Sequence, residues 1–205
     1  MKFIKWKILG ITVLVCLLPI LPGLALWQQL PESIAVHFDM YNNPDNFAPK
    51  AFVVFGLPCL MAFLQIICCV INDVNTKKHG ERKKFSLVTK WIIPIMAMLL
   101  QVATFAYALG KAVDVRRVAM FIVGSVLLVM GNYMPKFDYI KNVDADAETA
   151  RKIHRFIGFE TVLMGVMAYI TLFLPPLFSI VWLILLIPYA LIGLVYGILK
   201  TKKRK

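Results

Sequence analysis

Hydrophobic positions in this chain cluster into six long uncharged or nearly uncharged runs: Ile8–Leu30, Ala51–Asn72, Trp91–Gly110, Val118–Met134, Ile157–Leu174 and Leu177–Leu199. A helix crosses a hydrocarbon core with roughly 20 residues, so each run predicts a membrane span. Among them only Glu160 carries a formal charge. Membrane β-strands would instead appear as short alternating segments, which this sequence lacks. The predicted fold class is all-α, a polytopic membrane protein built as a six-helix transmembrane bundle. No internal repeat stands out, although three helical hairpins follow one another. The expected halves are residues 1–110, with a connector at 31–50, and residues 111–205.

Composition agrees: 60% of the 205 residues are hydrophobic and 17% are charged. A water-soluble domain of this length holds nearer 45–50% apolar residues. The net charge of +12 does not indicate nucleic acid, because the basic residues are dispersed over segments flanking the spans. Nineteen of the 23 Lys and Arg precede span one, separate spans two and three (Lys90 included), separate spans four and five, or follow span six. Lys50, Lys111, Arg116 and Arg117 occupy the alternate connectors. By the positive-inside rule both termini are expected on the cytoplasmic side of the membrane, with residues 31–50 outside. The first run has the basic start of a signal peptide but is long for one, and no A-x-A-like site follows it, so it reads as a retained helix. Cys16, Cys59, Cys68 and Cys69 all lie inside spans, which argues against a disulfide framework.

Intramembrane prolines at 19, 22, 58, 94 and 188 each free a backbone carbonyl that lipid cannot satisfy. Neighbouring helices must do so, and mid-span Gln65 and Gln101 read as interhelical hydrogen bonds. Gly193 and Gly197 form a G-x-x-x-G step suited to close helix contact.

Three polar segments hold the candidate chemistry. In the connector, Ile34, Val36 and Phe38 alternate with Ala35, His37 and Asp39, and Asn42-Asn43-Pro44-Asp45-Asn46 supplies a tight turn. Together they predict an ordered cap in which His37, Asp39, Pro44, Asp45 and Lys50 are candidates for contact with a peptide or lipid headgroup. His37 has no second histidine near it, so local hydrogen bonding is expected rather than metal binding. The second segment, Gly131-Asn132-Tyr133-Met134-Pro135-Lys136, closes span four. The third, Asp144 to Glu160, is acidic at its start and basic at its end, as a cytoplasmic helix running into span five would be. Glu148 and Lys152 are expected to pair on it. His154 and Arg155 mark its entry into the membrane, and Glu160 lies a turn deeper. A carboxylate at that depth requires a partner, Arg155 or Lys136, or a role such as proton or solute transport with Gln65 and Gln101 lining a path. No G-x-S-x-G, H-E-x-x-H, Walker or Rossmann pattern occurs, so no enzyme and no cofactor is indicated.

Leu30 to Asp39 followed by Asn43-Pro44-Asp45-Asn46-Phe47-Ala48-Pro49-Lys50 resembles the signature of a bacterial membrane domain of unassigned function. Gly131 to Lys136 with His154-Arg155-Phe156-Ile157-Gly158 resembles the C-terminal half of the SdpI immunity proteins. The resemblance implies six spans and protection of a cell from a membrane-active peptide toxin. It marks His37, Pro44, Asp45 and Lys50 on the outer side, and Gly131, Asn132, Pro135, Lys136, His154, Arg155 and Gly158 on the inner side. It also implies lipid, a peptide toxin and a cytoplasmic repressor as partners. Between Lys136 and His154, however, the family's usual stretch is replaced by Phe137 to Lys152, and with it goes the segment associated with repressor capture.

Overall fold

The structure, a computed structural model, describes residues 4–79, 83–134 and 147–202. Six of its helical segments are long and apolar enough to cross a membrane: Trp6–Ala25, Phe52–Thr76, Phe85–Ala108, Val115–Tyr133, Arg151–Thr171 and Pro176–Gly193. Their outer surfaces are covered with large apolar side chains such as Leu14, Phe63, Val102, Ile170 and Ile187, as expected of helices solvated by lipid. The chain is a multi-pass helical membrane protein, with one small two-stranded sheet. It divides into two compact units, Met1–Val118 and Ala119–Lys205.

In the first unit the opening span is not one helix. α1 (Trp6–Leu17) and α2 (Ile20–Ala25) are separated at Leu18–Pro19, where Pro19 has no N–H for the carbonyl four residues back. β1 (Ser33–Phe38) and β2 (Pro44–Pro49) form an antiparallel hairpin. A π-helical turn, Phe52–Gly56, leads into α3 (Leu57–His79). α4 (Lys83–Ala108) returns beside α3, and both pack on α1. α4 ends in a Schellman turn: Gly110 takes φ +75°, Lys111 N–H donates to Ala106 O and Gly110 N–H to Tyr107 O. Leu30, Ile34, Val53, Val54 and Phe105 form the core beneath the hairpin.

The two central prolines explain the two mid-span glutamines. Pro94 cannot donate to Lys90 O, and Gln65 Nε2 of α3 does so instead, at 2.8 Å. Within the π-helical turn Leu57 N–H bonds Phe52 O. The next donor in that i to i−5 ladder would be Pro58, to Val53 O. Gln101 Nε2 of α4 takes its place at 3.0 Å. Each helix therefore repairs the other's break, and each carries its proline and its glutamine at the same spacing, Pro58-x6-Gln65 and Pro94-x6-Gln101. This is a short antiparallel repeat that the sequence reading passed over.

The second unit contains α5 (Val115–Tyr133) from Ala119 onward, α6 (Ala147–Thr171) and α7 (Pro176–Lys202). α5 and α6 meet along an antiparallel glycine seam. A Cβ on Gly131 would sit 2.7 Å from Gly158 O, and one on Gly165 would sit 3.0 Å from Gly124 O. Glycines seven apart on both helices, Gly124 with Gly131 and Gly158 with Gly165, let the backbones touch. Met120, Met164, Ala168 and Trp182 form the core of this unit, with Ala168 beside Gly124 at the seam. Of the G-x-x-x-G step on α7, Gly193 packs against Ile157 and Glu160 of α6. The side chain environment of Gly197 lies outside the described residues.

Candidate functional site

Among the predicted site residues, the hairpin places its five differently. Both strands are bulged: the register passes from Ala35↔Phe47 to His37↔Asn46 and then to Phe38↔Pro44, leaving Val36 and Asp45 as extra residues. The expected alternation is therefore broken. Ile34 and Ala35 are both buried, while Val36 and His37 both face out. The slip also sets His37 Nδ1 2.5 Å from Asp45 Oδ1, with both side chains exposed. Asp39 organises the turn. Its Oδ1 accepts the backbone N–H groups of Tyr41 and Asn43, each at 2.8 Å, and its Oδ2 accepts Asn43 Nδ2 at 3.0 Å. The Asn43 side-chain amide first, and then these backbone N–H groups, hold the Asp39 carboxyl below the ordinary carboxylate range. Pro44 opens β2 opposite Phe38.

Lys50 is not on the outer surface of the hairpin. Its ammonium is buried, 2.7 Å from Glu32 Oε1 and 3.3 Å from Trp27 O, and lies 4.7 Å from the Trp27 ring centroid. It fastens the base of the hairpin to the end of the first span. At the turn, Asn42 holds the left-handed conformation (φ +66°), donates from Nδ2 to Val113 O and accepts Val115 N–H. Together with Asp114 Oδ1, which accepts Arg117 N–H at 3.0 Å, it caps the first turn of α5. Phe38 meets Tyr107 edge-on at 4.7 Å. The hairpin is thus pinned at base, flank and tip. Exposed on the hairpin are the apolar and aromatic Val36, Tyr41 and Phe47, the His37–Asp45 pair, and the polar Ser33, Asn43 and Asn46 with Pro49.

The opposite end of α3 and α4 holds a buried charge pair. Lys90 is not a loop residue: its side chain and that of Asp73 are each 1% exposed, with Lys90 Nζ 2.5 Å from Asp73 Oδ1. The other carboxylate oxygen accepts Lys5 N–H at the start of α1, at 3.0 Å. Asn72 donates to Thr89 and accepts from Ser86 alongside, and Gln65 reaches Cys69 Sγ as well as Lys90 O. Three helices are joined there by one carboxylate. Glu160 is therefore not the sole charge within the spans. Asp73 and Lys90 directly adjoin the uncharged runs Ala51–Asn72 and Trp91–Gly110, and the helices extend past those edges to include them. Lys90 four positions before Pro94, with Asp73 on the preceding helix, is the signal that could have found them.

In the second unit Asn132 and Arg155 line one groove of about 540 Å³ with Gly131, Phe156, Gly158, Phe159 and Val162. Asn132 and Arg155 are exposed, and Tyr133 and His154 are half-buried near by in sequence. Pro135 and Lys136 lie outside the described residues. The Glu148–Lys152 pair forms at 2.6 Å, drawing the Glu148 carboxyl below its ordinary range. Glu160 is 8% exposed and faces a separate cavity. No ion pair reaches it among the described residues, and Arg155 points to the groove instead. Gln65 and Gln101, grouped with Glu160 as lining a path, are engaged with backbone carbonyls of the first unit.

Fold and site define the class: a polytopic helical membrane protein with an ordered extramembrane β-hairpin and without a recognised catalytic motif. A domain of unknown function, DUF1648, matches residues 14–62, which span the end of α1 through the hairpin to the start of α3. Immunity protein SdpI of Bacillus subtilis (strain 168) is 25% identical over 124 residues, 60% of this chain and 58% of that protein. The chain thus spans less than two thirds of that relative's length. Over these parts of its length the chain is similar to that domain and to that immunity protein. No solved structure matches it.

Proposed function

We propose that the protein is a non-catalytic immunity protein of a bacterial plasma membrane, protecting the cell against a membrane-active peptide, and that the hairpin is its contact surface. The observation that carries this reading is the pinned hairpin. A loop tied down by Lys50, Asn42 and Phe38 yet presenting Val36, Tyr41 and Phe47 around the His37–Asp45 pair is preorganised for an amphipathic partner. Exposed aromatic residues supply contact area, and the paired charge supplies direction. The similarity to Immunity protein SdpI supports the same reading.

The hairpin faces the exterior and both termini face the cytoplasm. This orientation rests on the distribution of Lys and Arg, and moving Lys90 into the helix interior leaves that distribution strongly one-sided. On the inner side Gly131 and Gly158 bring α5 and α6 into contact, and Asn132, His154 and Arg155, close to that seam in sequence, would keep spans four and five in register. Without the family's usual stretch before His154, repressor capture is not part of the proposed function.

The test is survival under toxin challenge. His37→Ala, Asp45→Ala and Tyr41→Ala are expected to lower survival while membrane abundance stays constant, whereas Glu148→Ala is expected to leave survival unchanged. Full protection by the triple hairpin variant at normal abundance overturns the mechanism.

A further inference from the structure

Glu160 of α6 is more than nine-tenths buried and faces a partly open cavity of about 300 Å³ lined by α5, α6 and α7. The walls are Leu127, Ile157, Met164, Leu186, Tyr189 and Gly193, with Thr161 beside them. Thr161 gives its hydroxyl proton to Ile157 O at 2.7 Å, so the carboxylate and the Tyr189 phenol are the polar groups left to a ligand. Gly193 makes room for that carboxylate, since a Cβ there would lie 3.1 Å from Glu160 Oε2. Carboxylates at membrane depth are retained with a partner or a role. No cationic partner meets this one among the described residues, in contrast to Asp73, which has both an ammonium and a backbone N–H.

We infer that this cavity binds a small organic cation, an ammonium carrying an apolar body, with Glu160 as its counter-charge. The chemistry selects that class. Ca²⁺ or Mg²⁺ requires an array of oxygen ligands, and here one carboxylate and one phenol stand among apolar walls. An alkylammonium or arylammonium needs one anion, an aromatic neighbour and apolar contact for the rest of the molecule. The volume lies at the small end of ligand pockets, which run from roughly 300 to 1,000 Å³. This inference does not depend on the hairpin: it concerns the second unit alone, and either reading can fail without the other.

The test uses the full chain in phosphatidylglycerol nanodiscs and radiolabelled benzyltrimethylammonium as the probe. Saturable binding with one site per chain is expected, at least tenfold tighter than that of neopentylbenzene, the neutral isostere. Glu160→Gln is expected to weaken probe binding at least tenfold and Glu160→Asp to retain part of it. Gly193→Ala, which keeps the carboxylate and crowds it, is expected to weaken binding several-fold. If Glu160→Gln does not fold, the comparison of probe with isostere on the unaltered chain, together with Gly193→Ala, decides the matter. Adding phosphatidylethanolamine separates the sources of the ammonium. Competition with the probe assigns a lipid headgroup, and unchanged binding assigns a soluble amine. Absent binding, equal binding of the neutral isostere, or undiminished binding by Glu160→Gln overturns the inference.

Discussion

In the first unit Asp73 meets Lys90 and Lys5 N–H, Gln65 and Gln101 each close a proline gap, and Lys50 is held between Glu32 and two carbonyls. In the second unit the helices approach through Gly124, Gly131, Gly158 and Gly165, and Glu160 faces a cavity with no ion-pair partner among the described residues. The difference follows from the backbone. Pro58 and Pro94 free acceptors that lipid cannot serve, and Gln65 and Gln101 are committed to them, whereas in the second unit Pro188 interrupts α7 and not the α5–α6 contact. The glycine seam between α5 and α6 leaves the continuous backbone hydrogen bonding of both helices intact and needs no polar side chain to repair it. A buried polar group committed to repair is evidence about stability, whereas one left over in a cavity is evidence about ligands.

The strongest challenge to that contrast is to separate the Asp73–Lys90 pair. Asp73→Asn or Lys90→Met should cost about 3–5 kcal/mol, because each leaves the other charge buried and unpaired. The double variant Asp73→Leu with Lys90→Met should be less damaging than either single change, as read by equilibrium unfolding in mixed micelles. If the single changes are silent, the pair is not a structural clamp. A smaller effect is expected from Gly131→Ala, whose methyl would lie 2.7 Å from both Gly158 O and Val162 N. Overpacking of this kind costs about 1–3 kcal/mol, while Gly10→Ala, with nothing within 4 Å, should not destabilise.

Gln101→Leu should cost about 1 kcal/mol, an ordinary interhelical hydrogen bond in a membrane. The same loss is expected of Gln65→Leu, and unequal losses would show that the two repairs are not equivalent. The smallest effect concerns pH. The folded Asp39 carboxyl sits below its ordinary value of 3.8. The stability it lends the turn is therefore complete above that ordinary value and is lost as pH falls through the lower folded value. The Asn43 amide resonance should stay constant through neutral pH and shift only under strongly acidic conditions. Asp39→Asn should abolish that acid transition.

Much of the architecture was legible from residues alone. The six spans, the ordered connector with its turn, the Glu148–Lys152 pair and the interhelical use of Gln65 and Gln101 all follow from apolar run length, turn chemistry and helix spacing. The break at Leu18–Pro19 follows from the N–H that Pro19 lacks. Other features depended on register. Nothing local to Val36 or Asp45 announces a bulge, yet those two slips join His37 to Asp45 and bury Ala35. Gly124 and Gly131 look unremarkable until Gly165 and Gly158 are placed opposite them. Asp73 and Lys90 look like loop charges until the two helices are aligned.

Residue order alone establishes that this chain lives in lipid and how often it crosses, because the transfer of about twenty consecutive apolar residues outweighs every local preference. The pairings came from three-dimensional packing: Gln65 with Lys90 O, Gln101 with Val53 O, and Asp73 with Lys90. Hydrogen bonds and ion pairs act over about 3 Å, and these partners stand between 17 and 48 residues apart in the chain. Their meeting therefore depends on how helices are rotated and shifted against one another, which no single stretch of sequence specifies.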